Sequence, residues 1–211
     1  MKTLSNLLLI ASFGILIAGC NSKNATENQS AIEQPPTPTL IEVWATDTLL
    51  KTPESVIYDQ ANGVIYVSNV NQNPWEKDEN GFISKISKTG EILTLEWVTG
   101  FSGPKGMGIN GDTLFVADLD ELVLVSISSG AVIEKIKIDG ASGLNDITVA
   151  NGVVYISDSN AGKIFQYSNG EVTVFHADVP GRPNGLLTCK WKAFSGVFRD
   201  ITIYKYRSCF T

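Results

Sequence analysis

The side chains that could take part in chemistry stand at corresponding positions of a repeated segment. Glu54, Lys105, Asn145 and Asn184 each lie near the start of such a segment, 51, 40 and 39 residues apart. Carboxylate and amide oxygens are ligands that hard divalent cations take. Each residue also has a simpler interpretation. Glu54 would begin a strand at a solvated rim, the asparagine amides would bond to nearby backbone in turns, and Lys105 would be a solvated lysine.

The composition excludes several other kinds of chemistry. The chain has 211 residues, with one His, three Cys, 16 basic and 22 acidic side chains. A single histidine excludes a poly-histidine metal site and argues against a Ser-His-Asp triad. The net charge of −6 argues against a nucleic-acid partner, because phosphate binding needs a basic surface. Composition therefore narrows the class of protein and leaves its function open.

Three segments of the chain can be laid over one another. Their first strands start near Glu54, Lys105 and Asn145, and their second strands are VIYVSN, TLFVAD and VVYISD. Tight turns containing Asn and Gly separate these strands, and two more strands follow around another glycine turn. A four-stranded unit of about 40 residues is the period of a propeller blade. The sequence therefore predicts an all-β propeller over residues 40–187, with about three and a half four-stranded blades. An immunoglobulin-like sandwich would not repeat the same four-strand pattern three times.

The first twenty residues predict a lipoprotein signal. The apolar run 7–18 is shorter than the roughly 20 helical residues that span a bilayer, and it is typical of a signal peptide. It ends in LIAGC, which resembles the bacterial lipobox, with Cys20 as the lipidated residue. We therefore predict a signal peptide over 1–19, and a lipidated Cys20 with a flexible tether over 20–39. The chain would be anchored to a cell-envelope membrane, facing the periplasm from the outer membrane in a diderm organism. An ordinary secretory signal with a chance cysteine is the alternative.

The last 24 residues, 188–211, depart from the repeat. A fourth unit starts at Arg182-Pro183-Asn184-Gly185, but the expected Asn-Gly turn and second strand do not follow. Residues 188–211 carry five basic groups and one acidic group, and they hold two of the three cysteines. The sequence indicates an aberrant tail, such as a frame-shifted stretch. A genuine basic, aromatic segment is the alternative, and an oxidising envelope would permit a disulfide between Cys189 and Cys209.

On these residues the chain resembles the SMP-30/gluconolactonase/LRE-like family of six-bladed propellers, and in particular its lipoprotein branch. The resemblance covers residues 40–187, and the NHL-repeat propellers have a similar pattern. It implies six blades for a whole propeller and one divalent cation at the mouth of the axial channel. Glu54 matches the first-blade ligand and Asn184 the fourth-blade ligand, while Asn145 matches the substrate-facing asparagine of the third blade. Lys105 begins the second blade and would also face substrate.

The resemblance implies divalent-metal-assisted hydrolysis of a small lactone or ester. Ca²⁺, Mg²⁺, Zn²⁺ and Mn²⁺ all suit such oxygen ligands. The fifth-blade Asp of the family, which would serve as general base, has no counterpart here, so catalysis is expected to be impaired. One alternative is a non-enzymatic module that binds a sugar-derived ligand or an envelope partner, because fold alone does not imply catalysis. Another is a fragment without independent function, whose open strand edges favour aggregation. The sequence leaves the metal, substrate and oligomeric state undecided, and whether the chain is an enzyme.

Overall fold

The computed structural model describes residues 39–188 and 201–202. Cys20, the predicted signal peptide, most of the tether and most of the tail lie outside these residues. Among the described residues, no helix is long and apolar enough to cross a membrane. From Glu42 onward the described chain forms one compact unit.

Twelve strands form three four-stranded antiparallel sheets, each built from four consecutive strands. The first sheet contains β1 (Pro53–Asp59), β2 (Val64–Asn69), β3 (Gly81–Ser87) and β4 (Ile92–Phe101). The second contains β5 (Pro104–Asn110), β6 (Thr113–Asp118), β7 (Glu121–Ser126) and β8 (Val132–Lys137). The third contains β9 (Leu144–Ala150), β10 (Val153–Asp158), β11 (Lys163–Ser168) and β12 (Glu171–His176). The predicted all-β fold with three four-stranded blades is confirmed, and we call these sheets blades one to three.

The chain that follows blade three includes one short strand pair. Leu187–Thr188 (β13) pairs antiparallel with Ile201–Thr202 (β14). Thr188 Oγ1 also lies 3.4 Å from Thr148 Oγ1 of β9. The start of the predicted fourth unit therefore lies beside the first strand of blade three.

Asparagine–glycine turns connect the strands of blade three, as the sequence predicts. At Asn151-Gly152 both residues have positive φ, 52° and 80°, and Asn169-Gly170 has 52° and 82°. Two consecutive positive φ values define the turn whose twist matches that of antiparallel strands. Asparagine tolerates this conformation better than most residues and glycine adopts it freely, so these pairs fix both hairpins.

The middle strands of blade two, β6 and β7, are buried on both faces because this blade lies between the other two. Leu114 and Val116 pack with Tyr66 and Ile83 of blade one in the first apolar cluster. The alternate residues Phe115 and Ala117 pack in the second cluster, which contains Val154, Ile156 and Phe165 of blade three. Successive strand side chains point to opposite faces, so a strand between two blades must be apolar throughout. This explains the unbroken hydrophobic run in β6.

The first strands of the three blades lie side by side. β5 contacts both β1 and β9, whereas β4, β8 and β12 are the outermost strands of their blades. β8 is exposed along nearly its whole length, and β12 is mostly exposed. The strands nearest the common axis are therefore β1, β5 and β9, and they all begin at the same end of the molecule.

A buried carboxylate or amide ends the second strand of every blade and binds the backbone that leads into the first strand. Asn69 Oδ1 accepts the Lys51 N–H at 2.9 Å. Asp118 accepts the N–H groups of residues 102 and 103, and Asp158 those of residues 142 and 143, at 2.6–3.2 Å. These interactions, which we call the blade clamps, lie two or three residues before Glu54, Lys105 and Asn145. Asn69, Asp118 and Asp158 therefore have a structural role at the ends of their strands.

The blade clamps predict a large stability effect at Asp158, which is fully buried and also accepts the N–H groups of Asn160 and Ala161. Asp158→Ala leaves four backbone donors without their acceptor, and we expect a loss of about 3 kcal/mol or more in the free energy of unfolding. Urea denaturation of the full chain measures this loss. The control is Asp112→Ala, which removes a carboxylate that accepts bonds from Ser126 and Ser128 in an exposed turn. Equal losses in the two variants would contradict the clamp.

Candidate functional site at the channel mouth

Glu54, Lys105 and Asn145 occupy the second position of β1, β5 and β9. Because these strands are adjacent and begin at the same end, their side chains share one end of the inner surface. Asn184 corresponds to them in sequence, in Pro183-Asn184-Gly185-Leu186 of the fourth-blade start, and lies three residues before the short strand β13. We call this end of the molecule the channel mouth. Lys105 and Asn145 are buried there, whereas Glu54 and Asn184 are exposed.

Lys105 lies beneath the long loop of blade one and is only 3% exposed. Its Nζ donates to the carbonyl oxygens of Pro74 at 3.2 Å and Gly103 at 3.4 Å, and lies 4.7 Å from the centre of the Trp75 ring. The interpretation of Lys105 as a solvated lysine is therefore wrong. Burial lowers the pKa of its ammonium, and the negative charges of Glu54 and Asp118 oppose that shift. Trp75 is 48% exposed and caps the lysine.

Glu54 is electrostatically linked to the next two blades. Desolvation raises the pKa of its carboxyl, the Lys105 ammonium lowers it, and the Asp146 carboxylate raises it. The simple interpretation of Glu54, a residue that begins a strand at an exposed rim, describes its position correctly. Its carboxyl also faces charges from blades two and three, so the rim position and a role at the channel mouth are compatible.

Asp146 is a candidate residue that the sequence did not single out. It follows Asn145 in β9, and its Oδ2 accepts the Leu186 N–H at 2.6 Å. Burial raises the pKa of this carboxyl, and the hydrogen bonds from the Leu186 and Ile147 N–H groups oppose the shift. The sequence could have indicated this residue, because the corresponding residues of the other units are Ser55, Gly106 and Gly185. The third unit alone carries an acid at this position.

The fourth-blade start is held against blade three by hydrogen bonds from both of the inner strands of that blade. Ser159 Oγ donates to the Pro183 carbonyl at 2.5 Å and Ser157 Oγ to the Asn184 carbonyl at 2.6 Å. The Leu186 N–H bond to Asp146 adds a third. These bonds bring Asn184 to the strand that carries Asn145. Within residues 39–188 the Asn184 side-chain amide makes no hydrogen bond and residue 184 is not in a turn, so the expected bond from this amide to nearby turn backbone is not found there.

Gly106 makes room for Asp146. A Cβ at Gly106 would lie 2.5 Å from Asp146 Cα, 2.6 Å from the Asn145 carbonyl oxygen and 2.7 Å from Asp146 Oδ1. Real Cβ atoms do not approach other atoms so closely, so the contact requires glycine at this position. Because Gly106 of β5 has no side chain, β9 and the Asp146 carboxylate can approach the second-blade start closely.

The donor set at the channel mouth suits a hard cation. Glu54 provides a carboxylate, and Asn145 and Asn184 provide amide oxygens, which are the ligand types of Ca²⁺ and Mg²⁺. The Asp146 carboxylate adds negative charge nearby. The Lys105 ammonium opposes a cation but is covered by Pro74 and Trp75. Within the described part of the chain, no group of three or more His, Cys, Asp or Glu residues could hold a metal ion. A cation at this position would therefore depend on the asparagine oxygens as well as on the two carboxylates.

Comparison with known structures supports the propeller fold. A chain of a nidogen–laminin complex matches with a TM-score of 0.54 and 21% identity, over 64% of this chain and 52% of that one. Virginiamycin B lyase from Staphylococcus aureus matches with a TM-score of 0.50 and 21% identity, over 64% and 45%. A gluconolactonase from Xanthomonas campestris matches with a TM-score of 0.51 and 15% identity, over 65% and 50%.

These matches concern fold only. The chain spans about half the length of the structures it matches. No family model matches it, and no curated protein does. The three described sheets are thus blades of a β-propeller, as predicted. The matches do not show that the chain belongs to a gluconolactonase-like family.

The raised pKa of Asp146 predicts a pH dependence of stability. An acid whose pKa is higher in the folded state binds protons more tightly when folded, so stability falls as pH rises from its ordinary value of 3.8 through the folded pKa. We expect Asp146→Asn to flatten this fall, so that the free energy of unfolding of the variant improves relative to the native chain between about pH 4 and neutrality. Denaturation of both full chains at several pH values measures it. If the free energy of unfolding of the two chains changed in parallel with pH, the raised pKa of Asp146 would be contradicted.

Proposed function

We propose that this chain is a cell-envelope lipoprotein of the gluconolactonase-like propeller type. Its channel mouth binds a divalent cation through Glu54 and Asn184, with Asn145 and Lys105 facing a small lactone or sugar-derived substrate. The reaction is metal-assisted hydrolysis of a lactone or ester. The ion, when bound, supplies Lewis-acid polarisation of the substrate carbonyl, and Ca²⁺, Mg²⁺, Zn²⁺ and Mn²⁺ are all candidates.

The observation that carries this proposal is that oxygen-bearing side chains lie at the starts of three blade units, at the same end of the molecule. Glu54 comes from the first, Asn145 and Asp146 from the third and Asn184 from the fourth, and the charges of Asp146 and Lys105 act on the pKa of Glu54. Glu54 and Asn184 are 130 positions apart in sequence. The blade clamps fix the strand starts that carry Glu54 and Asn145. Hydrogen bonds to Ser157, Ser159 and Asp146 hold the segment that carries Asn184. The gluconolactonase from Xanthomonas campestris is among the structures of similar fold.

The residues of the chain would divide the work by position. The Glu54 carboxylate supplies the negative charge that a cation requires, and the side-chain amide of Asn184 supplies a neutral oxygen. Asn145 is nearly buried and therefore offers a fixed hydrogen-bonding group toward a ligand. Lys105 is held by two carbonyl oxygens and the Trp75 ring, so an anionic ligand group would contact its ammonium only beside Pro74 and Trp75.

A ligand-binding module without catalysis is the second candidate. The described residues contain no cluster of three acidic, cysteine or histidine ligands, which favours binding over metal chemistry. One structure of similar fold is a chain of a nidogen–laminin complex, in which a protein partner is bound. Under this proposal Lys105 and Asn145 would hold a ligand or an envelope partner at the channel mouth, and no lactone would turn over.

We test the metal-site proposal with Mn²⁺ titration and lactone turnover on the full chain. The proposal expects turnover of a small lactone that a chelator abolishes and Mn²⁺ restores. Glu54→Gln removes the negative charge at the same side-chain size, so we expect Mn²⁺ affinity to fall at least about tenfold. Glu171→Gln is the matched control, because Glu171 also begins a strand and is exposed, but on the outer strand β12. Saturable ligand binding without turnover would favour the binding module, and equal Mn²⁺ affinity of both variants would remove Glu54 from the site.

The envelope assignment has its own test. Because LIAGC resembles a lipobox, Cys20 would be the attachment point of the lipid. Several acyl chains on this residue would anchor the protein stably, whereas a single chain would not. We expect the native chain to sediment with membranes and to carry a lipid mass on its N-terminal cysteine. Cys20→Ser should leave an unprocessed or unlipidated chain without that mass. A Cys20→Ser chain processed and anchored like the native one would overturn the lipoprotein proposal.

A further inference from the structure

We propose that Asp146 is a positioning residue that sets the place of Asn184 in the channel mouth. The inference rests on the proposed function, in which Asn184 contributes an oxygen to the cation site, and adds a residue to that site. Asp146 acts through the backbone of the fourth-blade start. It reaches this segment across the junction between blade three and the chain that follows it.

Hydrogen bonds from Asp146 reach the backbone on both sides of the Asn184 side chain, one directly and one through Ser157. On one side Asp146 Oδ2 accepts the N–H of Leu186, two residues after Asn184, at 2.6 Å. On the other side the backbone N–H of Asp146 donates to Ser157 Oγ at 2.9 Å, and Ser157 Oγ donates to the Asn184 carbonyl at 2.6 Å. Asp146 therefore acts on Asn184 from both directions along the chain, once through its side chain and once through its backbone.

The carboxylate of Asp146 is itself held in place. Its Oδ1 lies where a Cβ on Gly106 would come within 2.7 Å, so the missing side chain at Gly106 makes the space it occupies. Gly185 is the residue between Asn184 and Leu186, and a Cβ there would lie 3.9 Å from Asp146 Oδ2, an ordinary contact distance. The side chain thus extends from Gly106 at the second-blade start to the fourth-blade start, where its Oδ2 is fixed by the Leu186 N–H.

The other blade junctions show that this arrangement is particular to one site. The residue that corresponds to Asp146 is Ser55 in blade one and Gly106 in blade two. Ser68, the counterpart of Ser157, exchanges hydrogen bonds with Ser55 of its own blade. Ala117, the counterpart in blade two, has no polar atom to offer. Within residues 39–188, a carboxylate that bonds to the start of the following blade is therefore found only where that start carries Asn184.

The test uses ¹⁵N NMR of the full chain and titration with Ca²⁺. In the metal-free protein, Asp146→Ala should shift the Leu186 amide and the Asn184 backbone and side-chain signals, whereas Asp146→Asn, which keeps an acceptor oxygen, should leave them near their native positions. Ca²⁺ affinity should fall about 10- to 100-fold in Asp146→Ala, and less in Asp146→Asn. Asp112→Ala, which also removes a hydrogen-bonded carboxylate, should change neither.

Each outcome of this test decides the inference. Unmoved Asn184 signals in a folded Asp146→Ala variant, or equal effects of Asp146→Asn and Asp146→Ala on them, would overturn it. If Asp146→Ala does not fold, Ser157→Ala is the second variant. It removes the bond to the Asn184 carbonyl and the acceptor of the Asp146 N–H while keeping the Asp146 carboxylate, and the same Asn184 signals must then move. A native chain that binds no Ca²⁺, Mg²⁺, Zn²⁺ or Mn²⁺ would refute the proposed cation site, while the metal-free signals would still decide the positioning role.

Discussion

The blade clamp is the interaction on which the rest of the structure depends. Asn69, Asp118 and Asp158 end the second strands, are almost completely buried, and hold the backbone that enters each first strand. An unpaired buried N–H costs about as much free energy as a lost hydrogen bond. The backbone of such a loop can therefore be buried only where an acceptor pairs with its N–H groups. The clamp fixes the starting point of the first strand, and the candidate residue follows two or three positions later. Stability and the geometry of the channel mouth therefore come from the same polar atoms.

Neighbouring blades use different contacts at the channel mouth, and the difference decides what the site can contain. Between blades two and three, Gly106 lets backbone meet backbone, and Phe115 and Ala117 face Val154 and Ile156 in one apolar cluster. Between blade three and the fourth-blade start, Leu186 packs with Ile164 and Tyr155 in a small apolar cluster. Asp146, Ser157 and Ser159 add hydrogen bonds to the backbone of this segment. A partly buried carboxylate is unfavourable unless it is hydrogen-bonded, and the raised pKa of Asp146 reflects that cost. The polar junction supplies a negative charge next to Glu54 that the repeat pattern alone does not provide.

The charges at the channel mouth act on one another. Lys105 favours the ionised form of Glu54 and Asp146 disfavours it, while the loop that carries Pro74 and Trp75 removes Lys105 from water. Two carboxylates and one covered ammonium leave a net negative site when all three are ionised, and this balance suits a cation better than an anion. The same balance would let a neutral ligand bind to the amides of Asn145 and Asn184. Metal-assisted hydrolysis and simple ligand binding are thus two uses of one arrangement.

The sequence by itself determined the strands, the turns and the four-stranded unit. Alternating side chains, Asn-Gly pairs and closing Asp or Asn residues act within some 15 positions of one another, so their consequences can be predicted locally. It also placed Glu54, Lys105, Asn145 and Asn184 at equivalent positions, since the unit repeats. Only the tertiary structure decided that Lys105 is buried, because the covering loop of blade one is some 30 residues away in sequence. Only the tertiary structure revealed Asp146, because its partner Leu186 is 40 residues away and approaches it only when the fourth-blade start packs on blade three.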